Sequence, residues 1–439
     1  MKAFTHGVGG AQDLPLPLPF AMAGGAAALA VSFIVLTLAW RRPRYDAATS
    51  GRPLPEALDR AFSGGVATWV LRALGLAVAA YVSWAAVAGP DTAVNPTFKF
   101  VFVLLWVGLV PASLLFGPVY VAMNPLRTIH HAVSRLTGGD PHVGVTGLPS
   151  WVGLWPAALG LLAFTYLELV YPESGYLYAV RLWFAVYVAV VLVGAAVFGD
   201  RWIAAADPFE AYSTLVAHLS VFGRRADGRL VVRSPLHNLD GVPPVAGLTA
   251  VVAVLIGSTA FDSFKETLTW LRVLQDTGTS VHVLETLALI GFCLLVGLTF
   301  GLASAASPTV AGHTRSRLPA LFAHSLVPII VGYVIAHYLS LLVETGQQGL
   351  IELSDPMGTG ANLLGTADWQ VNYWLSNHQT FLAYSKVVAI VGGHVLGVVA
   401  AHDRAMRVLP ERHRLTGQLP LLLVMVGYTV SGLYLLLTV

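Results

Sequence analysis

The feature that most limits this chain is a series of about ten apolar runs, each near the 20 residues a helix needs to cross a bilayer. In lipid no water is available to pair the backbone, so such a run must be helical. The runs lie near 20–40, 66–88, 98–121, 151–171, 180–199, 244–261, 283–304, 318–343, 380–402 and 418–438. The sixth is short, with GSTAFDSF at 257–264 as an optional continuation. Composition agrees. Hydrophobic residues make up 56% of the chain and charged ones 11%, about half the charge of a soluble domain. Mean hydropathy is +0.70, and a soluble chain so apolar would leave large greasy patches in water. The expected fold is all-α: a polytopic transmembrane bundle of about ten spans. It comprises a short external tail over 1–19 and one transmembrane domain over 20–439.

Arginines orient the bundle. Arg41, Arg42, Arg44, Arg52 and Arg60 follow the first run, Arg127 and Arg135 the third, and Arg201, Arg224, Arg225, Arg229 and Arg233 the fifth. Arg315 and Arg317 follow the seventh, and Arg404, Arg407, Arg412 and Arg414 the ninth. The intervening loops carry Asp91, Glu173, Asp262, Glu266, Asp276, Glu344, Glu352, Asp355 and Asp368. The positive-inside rule then places both termini outside. Residues 1–19 hold only Lys2 as a basic residue, and the positive block follows the first run, as in a retained helix rather than a cleaved signal.

Two runs end alike. FGPVYVAMNPLRTIHHAVSRL closes the third, with Phe116, Gly117, Asn124 and Pro125; FGDRWIAAADPFEAYSTLVAHL closes the fifth, with Phe198, Gly199, Asp207 and Pro208. Asn and Asp suit a helix N-cap, and Pro suits the first turn, where a missing N–H costs nothing. Glu210 stands where a capping-box acid would. After each cap the apolar positions match: Leu126, Ile129, Val133 and Leu136 against Phe209, Tyr212, Val216 and Leu219. The spacing predicts two short amphipathic helices lying on the cytoplasmic face. Asn-Pro and Asp-Pro also suit broken helices lining a pathway, although the two copies run in the same direction and so form no inverted repeat.

Charges inside spans default to functional hypotheses. Arg72 and Arg181 sit near run ends and can snorkel. Glu168 and Glu285 lie within about a turn of the outer surface. His337 and Lys386 sit deeper, about 9 Å in at helical rise. His337 shares a helical face with Ser340 and Glu344, leading into the Gly-rich loop that holds Asp355 and Asp368 and ends in Trp369, Tyr373 and Trp374. Long loops are often lids, although interfacial aromatics are usually anchors. Histidines raise a haem or transition-metal reading: antiparallel neighbours would bring His324 near His394, enough for one group but not a two-haem ladder. His130 and His131, beside Arg127, are expected to meet lipid headgroups, and His402, Asp403 and Arg404 to be an ordinary helix end.

Several classes are excluded. Cys293 is the only cysteine, so there is no internal disulfide, CxxC knuckle or iron–sulfur ligand set. No HExxH, Walker loop or strand-linked GxGxxG occurs, and GVGG at 7–10 lies in the short N-terminal tail. A net charge of +2 gives no general pull toward nucleic acid. From residue 322 onward, FAHSLVP, YVIAHYLSLL, SDPMGTG, NLLGTADW, GHVLGVVAAHDRA and QLPLLLVMVGYTVSGLYLL resemble a group of multi-pass bacterial membrane proteins, chiefly actinobacterial. The resemblance implies a bacterial plasma membrane and carries over no catalytic residue.

Three readings follow. The first is a transporter or permease for a small polar solute or ion, without a cofactor. Its outward-facing site would lie among spans six to nine, walled by His337 and Lys386 with Glu344, Asp355 and Asp368 near the mouth. The second is a redox or metal-handling protein with His324 and His394 as ligands. The third is an accessory subunit or scaffold that binds a membrane partner and has no chemistry of its own.

Overall fold

A computed structural model describes residues 17–308 and 314–438. The chain is helical almost throughout, and each of the ten apolar runs contains helix. By length and composition, eight helices among the described residues could cross a membrane. They are Leu18–Ala39, Glu56–Ala88, Leu177–Phe198, Leu248–Lys265, Val281–Ala305, Arg315–Glu352, Gln379–Val408 and Thr416–Leu437. The third run is a pair, Pro96–Leu105 and Leu109–Phe116, bent by 45°. Pro111 lies just past the break and cannot donate back to the previous turn, which is a sufficient cause for a bend. The fourth run forms only Trp155–Leu169, about 22 Å at helical rise against about 30 Å of hydrocarbon. The optional continuation of the sixth run is real: its helix reaches Lys265, so Asp262 belongs to a helix and not to an outer loop. The unburied faces of these helices are apolar as well, with Val31, Ile34, Leu38, Leu287, Leu294 and Leu298 all exposed. Water would not tolerate such faces, whereas lipid solvates them.

The described chain divides into two compact units. One is formed by Ala48–Pro235 with Leu341–Asn372; the other joins the described parts of Phe4–Ala47, Leu236–Ser340 and Tyr373–Val439.

The first unit contains the repeat. Leu109–Phe116 ends at Gly117 (φ 78°, ψ −153°), and Leu177–Phe198 ends at Gly199 (φ 74°, ψ −171°). Both glycines occupy a region essentially closed to other residues. A short helix follows each, Val119–Met123 or Asp200–Ala206, and then a capped helix, Pro125–Leu136 or Pro208–Ala217. Asn124 Oδ1 accepts from the Leu126 and Arg127 amides at 2.9 and 3.2 Å; Asp207 Oδ1 accepts from Phe209 and Glu210 at 3.0 and 3.1 Å. The two caps also touch each other. Asn124 Nδ2 donates to Asp207 Oδ2 at 2.9 Å and to Glu210 Oε2 at 2.8 Å, and Tyr187 Oη donates to Asp207 Oδ2 at 2.8 Å. Glu210 therefore spends its carboxylate on the other copy, on Asn124 and Arg127, instead of closing a capping box.

The expected pair of surface-lying amphipathic helices needs correction. Pro208–Ala217 is buried at every position but Thr214, packed beneath an aromatic cluster of Phe164, Trp183 and Phe209. Pro125–Leu136 does expose Val133 and Leu136, but buries His130 and His131. Those histidines are thus not set toward headgroups: His130 Nε2 is 3.0 Å from the Pro141 carbonyl, and His131 faces Asp200. Loops of this unit also form a small antiparallel sheet that hydrophobic periodicity does not announce. Arg52–Pro53 (β1), Phe222–Arg224 (β2) and Leu230–Val232 (β3) pair in the order β1-β3-β2, with Asp227-Gly228 turning the hairpin (Gly228 φ 83°). Asp-Gly is a strong short-range hairpin signal.

The second unit is a helical bundle. Its closest pair is Val327–Ser340 against Gln379–Val408, where glycine allows backbones to meet: a Cβ on Gly393 would stand 2.5 Å from the Pro328 carbonyl oxygen. The helix end at His402–Arg404 is more organised than an ordinary terminus. Asp403 Oδ1 accepts from Trp40 Nε1 at 3.1 Å and from the Arg44 amide at 2.6 Å, and His402 bridges Gln418 Oε1 and the Trp40 carbonyl, both at 3.0 Å. Arg404 reaches Asp240 Oδ1 at 3.2 Å.

Candidate functional site

A buried ionic cluster lies in the second unit, between Leu248–Lys265 and Val327–Ser340. At its centre Asp262 is 0% exposed. Its Oδ2 lies 3.0 Å from His337 Nε2 and accepts from Tyr338 Oη at 2.8 Å; its Oδ1 lies 2.8 Å from Lys265 Nζ. His337 Nδ1 is 3.2 Å from Ser263 Oγ, which is in turn 3.2 Å from Tyr333 Oη. The local sequence explains the convergence. Ser258, Thr259, Asp262 and Ser263 recur at three- and four-residue spacing on one helical face, and Tyr333 and His337 do so on the partner helix. A buried carboxylate and imidazole with a partly exposed ammonium at their edge can exchange a proton or coordinate a cation, chemistry unavailable to an apolar span.

Of the expected site residues, His337 is brought into this cluster and Ser340 is buried on the same helix. Lys386 is buried in Gln379–Val408. Glu285 is half-buried near the start of Val281–Ala305. Glu344, Asp355, Asp368 and Glu168 belong to the other unit. There Glu344 is buried and Glu168 half-buried. Asp355 ties down its own loop, accepting from the Thr359 and Gly360 amides at 2.9 and 2.7 Å. Those bonds hold its carboxyl below the ordinary range. Asp368 accepts from Asn362 Nδ2 at 3.2 Å.

His324 and His394 are both buried, and each directs Nδ1 to a backbone carbonyl of its own chain segment: Leu321 at 3.0 Å and Ile390 at 2.8 Å. The register of the helix pair separates them. Gly393 faces Pro328 and Gly397 faces Ser325, so His324 falls beside Ala400, about 9 Å along the helix from His394 at 1.5 Å per residue.

Sequence reasoning passed over two buried charges. Asp262 lies beyond the apolar stretch of its run, where composition alone reads as an outer loop. Lys99, at the edge of the third run, pairs with Glu352 in the first unit, Nζ to Oε1 at 2.6 Å. Their signal was available: both lie within one turn of strongly apolar helix. Compared with protein-family models, curated proteins and solved structures, the chain matches none of them.

Proposed function

We propose that this chain is an integral membrane transporter or permease for a small polar solute or ion, seated in a bacterial plasma membrane with both termini outside. The observation that carries the reading is the Asp262–His337–Lys265 cluster, buried between two apolar helices long enough to cross a bilayer. Ionisable groups in such segments are expensive and mark ion or proton pathways. Asp262 is the cation- or proton-accepting group of this reading. His337 is its partner, held by Ser263, and Lys265 is the internal counter-charge displaced when a cation or proton arrives. Arginine placement supports the topology; eight helices among the described residues, or nine with the bent pair as one span, are long and apolar enough to cross, and this reading takes the shorter Trp155–Leu169 helix as the tenth segment.

The test is flux. Proteoliposomes loaded with a pH indicator are challenged with imposed pH gradients and a panel of alkali cations and small polar solutes. Wild type should show gradient-dependent flux, and Asp262→Asn should abolish it while the protein still inserts and elutes as a single species. Absence of any gradient-dependent flux by wild type overturns the reading.

The redox alternative, with His324 and His394 holding haem or a transition metal, gains less from the geometry because their levels differ. A Soret band, or stoichiometric iron or copper lost on His394→Ala, would reinstate it. Stable co-purification of another membrane protein, with no consequence of changing His337 or Lys386, would favour the scaffold reading.

A further inference from the structure

The first unit brings together three metal-ligating side chains that none of these readings uses. His131 projects from Pro125–Leu136, His142 from the loop that follows, and Asp200 opens the Asp200–Ala206 helix of the second copy. His142 Nδ1 lies 2.8 Å from Asp200 Oδ2, and His131 Nε2 lies 3.7 Å from the same oxygen. All three ligand atoms fall within 4.8 Å of one another. Tetrahedral ligands about 2.1 Å from a zinc-sized ion stand about 3.4 Å apart, so small rotations of these side chains close the set.

A second observation points the same way. His131 is 5% exposed, and neither ring nitrogen has a hydrogen-bond partner among the described residues. Buried imidazoles are nearly always paired, and one with both nitrogens idle needs a reason. A ligand on Nε2 supplies it.

The surroundings fix the donors in place. Pro141 accepts from the Asp200 amide at 3.0 Å, His142 N donates to Asp140 Oδ1 at 2.9 Å, and Thr146 N donates to the Val197 carbonyl at 3.0 Å. The loop bearing His142 is thereby stitched to the Gly199 hinge. Arg127 Nη1 stands 3.3 Å from Asp200 Oδ2 and orients that carboxylate, while Glu210 offsets the guanidinium charge. Only His142 reaches outward, its side chain 66% exposed, which leaves one side of the triad open.

We propose that His131 Nε2, His142 Nδ1 and an Asp200 carboxylate oxygen form a site for a divalent first-row transition ion of the zinc or ferrous class. Two imidazoles and one carboxylate match that class, and three protein ligands leave positions for water or an exchangeable anion. The proposal is independent of transport through the second unit.

The test uses the full chain in detergent, with any affinity tag removed, stripped with chelator and titrated with Zn2+ and, as an optical reporter, Co2+. One equivalent should bind, with Co2+ ligand-field bands and a raised melting temperature on Zn2+ addition. His142→Ala, a change at an exposed side chain, should weaken binding roughly 100-fold or more. It should leave the metal-free melting temperature where it was. Asp200→Asn should also weaken binding, and His378→Ala, at an exposed histidine of the other unit, should not. No saturable Zn2+ binding by wild type, or binding unchanged in both His142→Ala and Asp200→Asn, overturns the proposal.

Discussion

The two units each bury a polar centre, and they do so for different reasons. At the paired caps of the first unit, Asn124 and Asp207 satisfy backbone amides that the helix starts would otherwise leave orphaned, so their burial follows from the architecture. Asp262 lies in the last turn of its helix, where the groups left over are carbonyls that a carboxylate cannot serve, and its described contacts are with the side chains of Lys265, His337 and Tyr338. A cap cluster is what a broken helix requires. An ionic cluster made between side chains is an expense that folding alone does not demand.

The comparison can be broken at its strongest point first. Asp262→Ala leaves Lys265 and His337 without their carboxylate in a dry site, and should destabilise the second unit by about 4 kcal/mol, as loss of one member of a buried pair does. Thermal or denaturant unfolding in detergent measures it. If an apolar replacement of all three, Asp262→Leu with His337→Leu and Lys265→Met, restores stability while flux stays lost, the cluster serves function and not folding.

The next effect concerns pH. Burial and the adjacent charge of Glu210 push the Asp207 carboxyl up to about 6 from an ordinary 3.8. A raised carboxyl keeps its proton in the folded state after the unfolded chain has lost its own. The Asp207 contribution to stability is therefore full below about pH 4 and falls as pH rises to about 6, by roughly 3 kcal/mol at most. Asp207→Asn should flatten that part of the stability–pH curve. If the slope persists in the variant, the group responsible is another.

Asn124→Ala removes a cap and strands the hydrogen bonds its amide gives to Asp207 and Glu210, for a loss of about 2 kcal/mol. Smaller again is the contrast between hinges. Gly117→Ala and Gly199→Ala each force a side chain into backbone reserved for glycine, at about 1–2 kcal/mol. The second should cost more, because its Cβ would also stand 2.9 Å from the His142 carbonyl oxygen, whereas nothing crowds Gly117. Equal losses would mean that backbone strain alone decides.

Much of this was legible in the chain because the governing rules are local. Twenty apolar residues must be helical in lipid, and Phe-Gly followed by Asn-Pro or Asp-Pro announces a hinge and a cap. What could not be read is where one segment meets another. Asn124 and Asp207 are separately recognisable caps, but their mutual hydrogen bond exists only in three dimensions. His131, like His130, reads as headgroup-facing polarity because the acid that faces it, Asp200, comes from the other copy. Asp262 was hidden by its neighbours: Lys265 and Glu266 gave the helix end the composition of a loop, and only the Ser258, Thr259, Asp262, Ser263 spacing showed a polar face inside the span. The small sheet was within reach, since Ala226-Asp227-Gly228 between short apolar stretches is a hairpin signature that a search for long helices overlooks.

The contact between the caps has a further consequence. Equivalent positions of the repeat touch, as residues on a two-fold axis do when identical subunits pair. Separate identical chains would have to place the same residue on both sides. Two aspartates there would oppose like charges in a dry site, and two asparagines would forgo the carboxylate that Tyr187 and Asn124 both address. Carrying both copies on a single polypeptide removes that restriction, and the two caps can differ by little more than one atom: an amide nitrogen on one side, a carboxylate oxygen on the other.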